Sequence, residues 1–166
     1  MCNKAVFFDR DGTLNVDKDY LYKIEDFEWT TGAPEAIKYV RSKGYKAIVI
    51  TNQSGVARGM YTVDDVNRLH AYMNESLKAY DTQIDGFYFC PHHPKGSVPE
   101  FTTDCDCRKP KSGLILEAAA DFNLSLAESI MFGDRERDVL CAQNVGVRGA
   151  LFDPTDDLSR FVRRYV

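Results

Sequence analysis

Ala5-Val6-Phe7-Phe8 is apolar at every consecutive position and is broken off by Asp9. A strand of that kind has no polar face to offer water, so it must be covered on both sides, as strands of parallel sheets are. Runs of similar character recur at 45–50, 84–89, 130–132 and 149–152. The stretches between them read as helices. After Gly32-Ala33-Pro34-Glu35, with Pro in the first turn, Ala33, Ala36, Ile37 and Val40 recur at helical spacing until Gly44. Thr62 can cap a helix whose apolar face is Val66, Leu69, Met73 and Leu77. Ser112 can cap another with Ile115, Ala118, Ala119 and Phe122, and a further helix is expected over 136–143. Such alternation predicts an α/β, Rossmann-like three-layer sandwich, a parallel sheet between two layers of helices, with ligands at the carboxyl ends of the strands. With 166 residues, 44% hydrophobic and 12% aromatic, residues 1–166 are expected to form one domain with one core.

Charge narrows the partners. Lys plus Arg number 21 against 25 Asp plus Glu, a formal charge of −4, which argues against nucleic acid or an anionic membrane surface. No apolar run approaches 18 residues, and Met1-Cys2-Asn3-Lys4 leads straight into a short strand with no leader-like apolar segment. A cytoplasmic monomer acting on a small molecule is expected.

The loops after the strands carry the chemistry. Asp9-Arg10-Asp11-Gly12-Thr13 follows the first strand. Its two carboxylates can approach one ligand only if the chain turns sharply, which Gly12 permits, and together they can hold a divalent cation. Thr51-Asn52-Gln53-Ser54-Gly55 follows the second strand and can donate hydrogen bonds to phosphate oxygens, although the same composition also makes ordinary turns. Arg108-Lys109-Pro110 places two cations before a helix start, where an anion gains from both, although a surface basic pair is the plainer account of these residues alone. Gly133-Asp134-Arg135-Glu136-Arg137-Asp138 follows the fourth strand and brings Asp134 to the sheet edge that holds Asp9 and Asp11. Three carboxylates at one edge are costly without a cation.

Residues 90–111 form the one long irregular stretch and need support of their own. Cys90, His92, Cys105 and Cys107 offer it: three thiolates and an imidazole, two ligands on either side of a 12-residue spacer, suit a structural Zn²⁺ closed by four protein ligands. His93 is the neighbouring alternative to His92. Reduced thiols in a loop would be the plain reading of the same residues. Cys2, Cys141 and His70 read as packing or surface residues.

Taken in order, these four strand-end segments resemble the haloacid dehalogenase superfamily of phosphohydrolases. The resemblance spans Asp9 to Asp138. It implies that Asp9 is a nucleophile forming an aspartyl-phosphate, that Asp11 is the general acid and base, and that Thr51 and Lys109 bind the transferring phosphoryl group. It further implies a Mg²⁺ site made by Asp9, Asp134 and the backbone carbonyl of Asp11. The zinc loop at about 90–107, with Phe7 to Asn15, Thr51 to Gly59 and Cys90-Pro91-His92-His93-Pro94, is similar to the heptose bisphosphate phosphatase branch. That likeness implies release of a C7 phosphate in nucleotide-activated heptose biosynthesis for lipopolysaccharide or surface glycans. Asp17, Tyr20, Asn52, Gln53, Ser54, Arg58, Arg108 and Arg135 are the substrate contacts expected from it, Arg135 standing where that branch usually carries Lys. Histidinol-phosphate phosphatases share a shorter zinc loop and are the alternative enzyme; a phosphate-binding zinc module without turnover is the alternative outside enzymes. The segments between the motifs leave no room for a large inserted cap domain.

Overall fold

The computed structural model describes residues 2–166. Five parallel strands lie in the order β3-β2-β1-β4-β5. They are β1 (Ala5–Phe8), β2 (Lys46–Asn52), β3 (Gly86–Cys90), β4 (Ile130–Gly133) and β5 (Arg148–Leu151). Helices α1 (Ala33–Ser42), α2 (Val63–Leu77), α3 (Gly113–Phe122), α4 (Glu136–Gln143) and α5 (Leu158–Val162) cover both faces. All four residues of β1 are buried. Val6 and Phe8 pack into one core with Ile37, Val40 and Phe132, while Ala5 and Phe7 point to the other with Ile48, Ile115 and Met131. That is why the run does not alternate in sequence. Truncating Phe7 or Phe8 to Ala would cost about 3–5 kcal/mol.

Three strand boundaries differ from the pattern. Strand β2 runs two residues beyond Ile50 because its ladder with β3 continues to Asn52 opposite Cys90, so Thr51 and Asn52 are held by a strand and not a loop. Strand β3 begins at Gly86, since the backbone of Ile84 is taken by Asn74, whose side chain accepts from its N–H at 2.8 Å and donates to its carbonyl at 3.0 Å. Strand β5 starts one residue earlier than expected and ends at Leu151, although the Phe152 N–H still donates to the Gly133 carbonyl. Helix α5 has no sequence signal, being five residues long and too short for a helical period; Asp157 caps it by accepting from the Arg160 N–H.

Thr62 caps α2 as expected and forms a reciprocal capping box with Asp65. Between β3 and α3 the chain is irregular apart from a 3₁₀ turn at Pro99–Phe101. It is tied down where the N–H groups of Ser97 and Val98 donate to the Ala57 carbonyl. No large inserted cap stands between any two elements. Among the described residues no helix is long and apolar enough to cross a membrane.

Candidate active site and metal cluster

Three strands end together. The Asp9 N–H donates to the Phe132 carbonyl, so the first carboxylate is positioned by the β1–β4 ladder. The chain then turns at Gly12, which has φ +90°. A Cβ there would lie 2.3 Å from Asp134 Oδ2. Glycine is thus required twice, by the left-handed backbone and by the carboxylate packed against it.

Carboxylate oxygens of Asp9, Asp134 and Asp138 lie within 4.8 Å of one another. Lys109 is buried among them. Its Nζ donates to Asp9 Oδ1 at 2.7 Å and to the Ile50 carbonyl at 2.8 Å, and pairs with Asp138 Oδ1 at 2.6 Å, which uses all three of its hydrogens. Burial alone would lower the Lys109 pKa, but Asp9 and Asp138 outweigh it and keep the ammonium charged. Asp134 goes the other way: burial, then the Asp9 charge, push its carboxyl up to about 7. Three buried carboxylates face one buried ammonium, with only the exposed Arg135 reaching Asp134 from outside, so negative charge is in excess, and the oxygen donors suit Mg²⁺.

Asp11 stands apart from that cluster. Its carboxylate accepts from Asn15 Nδ2 at 3.0 Å and from Gln53 Nε2 at 3.0 Å, and pairs with Arg10 at 3.1 Å. Burial raises its pKa, but the Arg10 guanidinium and the donors from Asn15 and Gln53 win and hold it below the usual carboxylate range. The side chain of Asp11 is 22% exposed, against 8% for Asp9, 7% for Asp134 and 0% for Asp138. It is the acid of the four that faces the opening.

Above it lies a cavity of about 290 Å³. Asp17, Tyr20, Ser54, Arg58, Arg108 and Arg135, the residues expected to contact substrate, line it. Arg135 reaches Asp134 at 3.5 Å and Asp17 at 3.9 Å, and Arg58 lies over the Tyr20 ring and 3.2 Å from His93 Nε2. Asn52 and Gln53 line the cavity as well, with their amides engaged inside the protein. Asn52 spends its amide on the Lys109 backbone, accepting from the N–H at 2.9 Å and donating to the carbonyl at 3.3 Å. Gln53 is buried with both ends of its amide bonded inside the protein. Asp138, Arg137 and Tyr61 complete the site and were not picked out from the sequence. Asp138 had a signal: it is the third residue of α4, where an acid can accept from the backbone N–H of the capping residue, here Arg135 at 3.1 Å.

At the foot of the irregular stretch, Cys90, His92, Cys105 and Cys107 converge. Sulfur–sulfur separations are 3.5 Å for Cys90–Cys105, 3.4 Å for Cys105–Cys107 and 2.8 Å for Cys90–Cys107. His92 Nδ1 lies 3.4 Å from Cys107 Sγ and 3.6 Å from Cys90 Sγ. A tetrahedron of sulfurs about 2.3 Å from Zn²⁺ has edges of about 3.8 Å, so the set needs little movement to close on the ion. His93 points away, toward Arg58.

A family model of HAD-hydrolase-like proteins matches residues 106–153. The D-glycero-beta-D-manno-heptose-1,7-bisphosphate 7-phosphatase of Haemophilus ducreyi is 44% identical over 149 residues, covering 89% of this chain and 81% of that protein. The protein of the same name from Escherichia coli K12 is 44% identical over 146 residues, covering 87% of this chain and 76% of that protein. Among solved structures, D,D-heptose 1,7-bisphosphate phosphatase from B. bronchiseptica, complexed with magnesium and phosphate, is similar with a TM-score of 0.80 and 28% identity, over 98% of this chain and 87% of that one.

Proposed function

This chain belongs to the haloacid dehalogenase-like heptose bisphosphate phosphatases, and from that premise we propose that it hydrolyses the C7 phosphate of D-glycero-β-D-manno-heptose 1,7-bisphosphate. The products are heptose 1-phosphate and inorganic phosphate. The observation that carries this reading is the separation of two anion receivers in one cavity. Asp11, two residues from the buried Asp9–Lys109 pair, lines it at one place, and Arg58, Arg108, Arg135 and Arg137 line its wall. Arg108 Nη1 is buried without a hydrogen-bond partner, a donor suited to a second phosphate.

Asp9, with Oδ1 held by Lys109, attacks phosphorus as the bond from phosphorus to the C7 oxygen breaks. Asp11 gives its proton to the departing alkoxide. A phosphate dianion arriving beside Asp11 raises the proton affinity of a carboxylate otherwise held ionised. As a carboxylate again, Asp11 takes a proton from water, whose oxygen attacks the aspartyl-phosphate and frees Asp9. Thr51 and the Lys109 charge offset the negative charge of the transferring group. Mg²⁺ held by Asp9, Asp134 and the Asp11 carbonyl would supply the remaining charge neutralisation. Zn²⁺ in the thiolate cluster would brace the loop that ends at Arg108.

Following hydrolysis of the β and α bisphosphates, the C1-dephosphorylated 7-phosphate and histidinol phosphate by ³¹P NMR tests the reading. The β bisphosphate should be the fastest and should leave the anomeric phosphate in place. Arg108→Ala should reduce the advantage of the bisphosphate over the monophosphate by about 10-fold, the loss of a charged hydrogen bond. Faster turnover of histidinol phosphate, or release of the C1 phosphate, would overturn it.

A further inference from the structure

Behind Asp11 lies a buried polar chain whose members fix one another's direction. Arg10 is almost wholly buried, and a guanidinium can only donate. Its Nη2 reaches the Leu21 carbonyl at 3.0 Å, Asp11 at 3.1 Å and Gln53 Oε1 at 3.3 Å, and Nη1 faces His70 Nε2 at 3.3 Å. The atom of Gln53 that meets Arg10 must therefore be the amide oxygen. Tyr61 donates its hydroxyl to the same oxygen at 2.6 Å. With Oε1 fixed, the amide nitrogen has to face the other way, where it donates to Asp11 Oδ2 at 3.0 Å and to Thr51 Oγ1 at 2.9 Å.

Two consequences follow for the reacting groups. One oxygen of Asp11 is held by a neutral donor, which sets the plane of the carboxylate relative to the cavity. The Thr51 oxygen, accepting from Gln53, keeps its own hydrogen to give elsewhere. Its one acceptor among the described residues is the Asn52 carbonyl at 3.4 Å, a weak contact that a phosphoryl oxygen could displace. Tyr61 itself is seated with care. Its ring stacks on Tyr22 at 5.4 Å, and a Cβ at Gly55 would lie 2.2 Å from it.

We propose that Tyr61, acting through the Gln53 amide and alongside the direct contact of Arg10 with Asp11, positions the Asp11 carboxylate and the Thr51 hydroxyl for phosphoryl transfer, so that Gln53 and Tyr61 are positioning residues for the acid step. This rests on the reading of Asp11 as the acid given above. A positioning role has a signature that packing lacks. A poor leaving group such as a sugar alkoxide needs the proton from Asp11, whereas p-nitrophenolate leaves without it. Because kcat/KM reports the first irreversible step, a misplaced acid should lower it selectively for the alkyl ester.

The test compares wild type, Tyr61→Phe and Gln53→Glu on the heptose bisphosphate and on p-nitrophenyl phosphate, with melting temperature and zinc content measured for each. Glu keeps the acceptor for Tyr61 and Arg10, removes the donor to Asp11 and Thr51 and adds a negative charge beside Asp11, so Tyr61→Phe, which adds none, is its control. Tyr61→Phe should lower kcat/KM on the sugar ester about 10-fold and Gln53→Glu about 100-fold, each with a several-fold smaller loss on the aryl ester. Losses of equal size on both esters, or changes under about 2-fold in both variants, would overturn the proposal. If Gln53→Glu does not fold, Tyr61→Phe alone decides. Should wild type act on another alkyl phosphate and not on the heptose, the substrate reading fails while the same ratio, taken on that ester, still judges the proposal. Activity of wild type on neither class would remove the acid role and the proposal with it.

Discussion

Asp9→Asn keeps the shape of the nucleophile and removes its reactivity, whereas Gly12→Ala keeps every reacting group and disturbs only their spacing. Comparing the two separates chemistry from geometry. Asp9→Asn should abolish turnover with the circular dichroism spectrum unchanged. Gly12→Ala should lower kcat by about 100-fold or more, because the added carbon meets the Asp134 carboxylate and the left-handed backbone is strained as well. Near-normal kcat in the glycine variant would show that Asp134 can move without harm. At this scale the sequence was legible where function is carried by residue type. Asp9, Asp11 and Asp134 stood out by their places after strands and Lys109 by its place before a helix start, and the family resemblance supplied the roles expected of them. It was less legible where function depends on a partner distant in the chain. Gln53 resembles any polar loop residue until Arg10 and Tyr61 fix its amide, and Asp138 is one more acid in a charged run until Lys109 reaches it.

The irregular stretch between β3 and α3 links metal and catalysis through chain connectivity. Cys107 is followed directly by Arg108 and Lys109, and the Gly113 N–H at the start of α3 donates to the Asp106 carbonyl. Zinc stripped by a strong thiol-competing chelator should therefore cost more than local order. KM for the bisphosphate should rise by about 10-fold or more, the melting temperature should fall, and restored Zn²⁺ should recover both, whereas Mg²⁺ alone should not. Brief EDTA treatment that removes only Mg²⁺ should stop turnover without moving the melting temperature by more than a few degrees. Elements long enough to show a period, α1 to α4, were readable from spacing. Helix α5 was not, and neither was the late start of β3 set by Asn74, since a side chain substituting for a strand neighbour leaves no periodic trace.

Across the whole molecule, stability should depend on acid through His70. The imidazole is buried, stacks on Phe87 at 4.4 Å and faces Arg10, with Asp11 beyond. Burial, reinforced by the Arg10 charge and only partly opposed by Asp11, lowers its pKa from 6.5 to about 3. The folded state then binds fewer protons than the unfolded one between those values. His70 thus costs no stability above pH 6.5, and stability falls as the pH drops below it, until about pH 3. Urea unfolding at pH 6.5 and at pH 5 should differ by up to about 2 kcal/mol more in wild type than in His70→Gln, whose amide oxygen can still accept from Arg10. Equal differences in the two proteins would mean that the ring is protonated in the fold.

Strand order also sets a timetable for synthesis. β1 leaves the ribosome first, yet it sits in the middle of the sheet, with β2 on one side and β4 on the other. Its partner on the β2 side is made early. The other side has to wait until Ile130 and its neighbours have been translated. For most of its synthesis the nascent chain therefore carries an apolar strand with one unpaired edge, the kind of surface that invites pairing with other chains. Slow translation of the segment ahead of β4 should make this protein dependent on chaperones in a way that its finished, fully paired centre does not disclose.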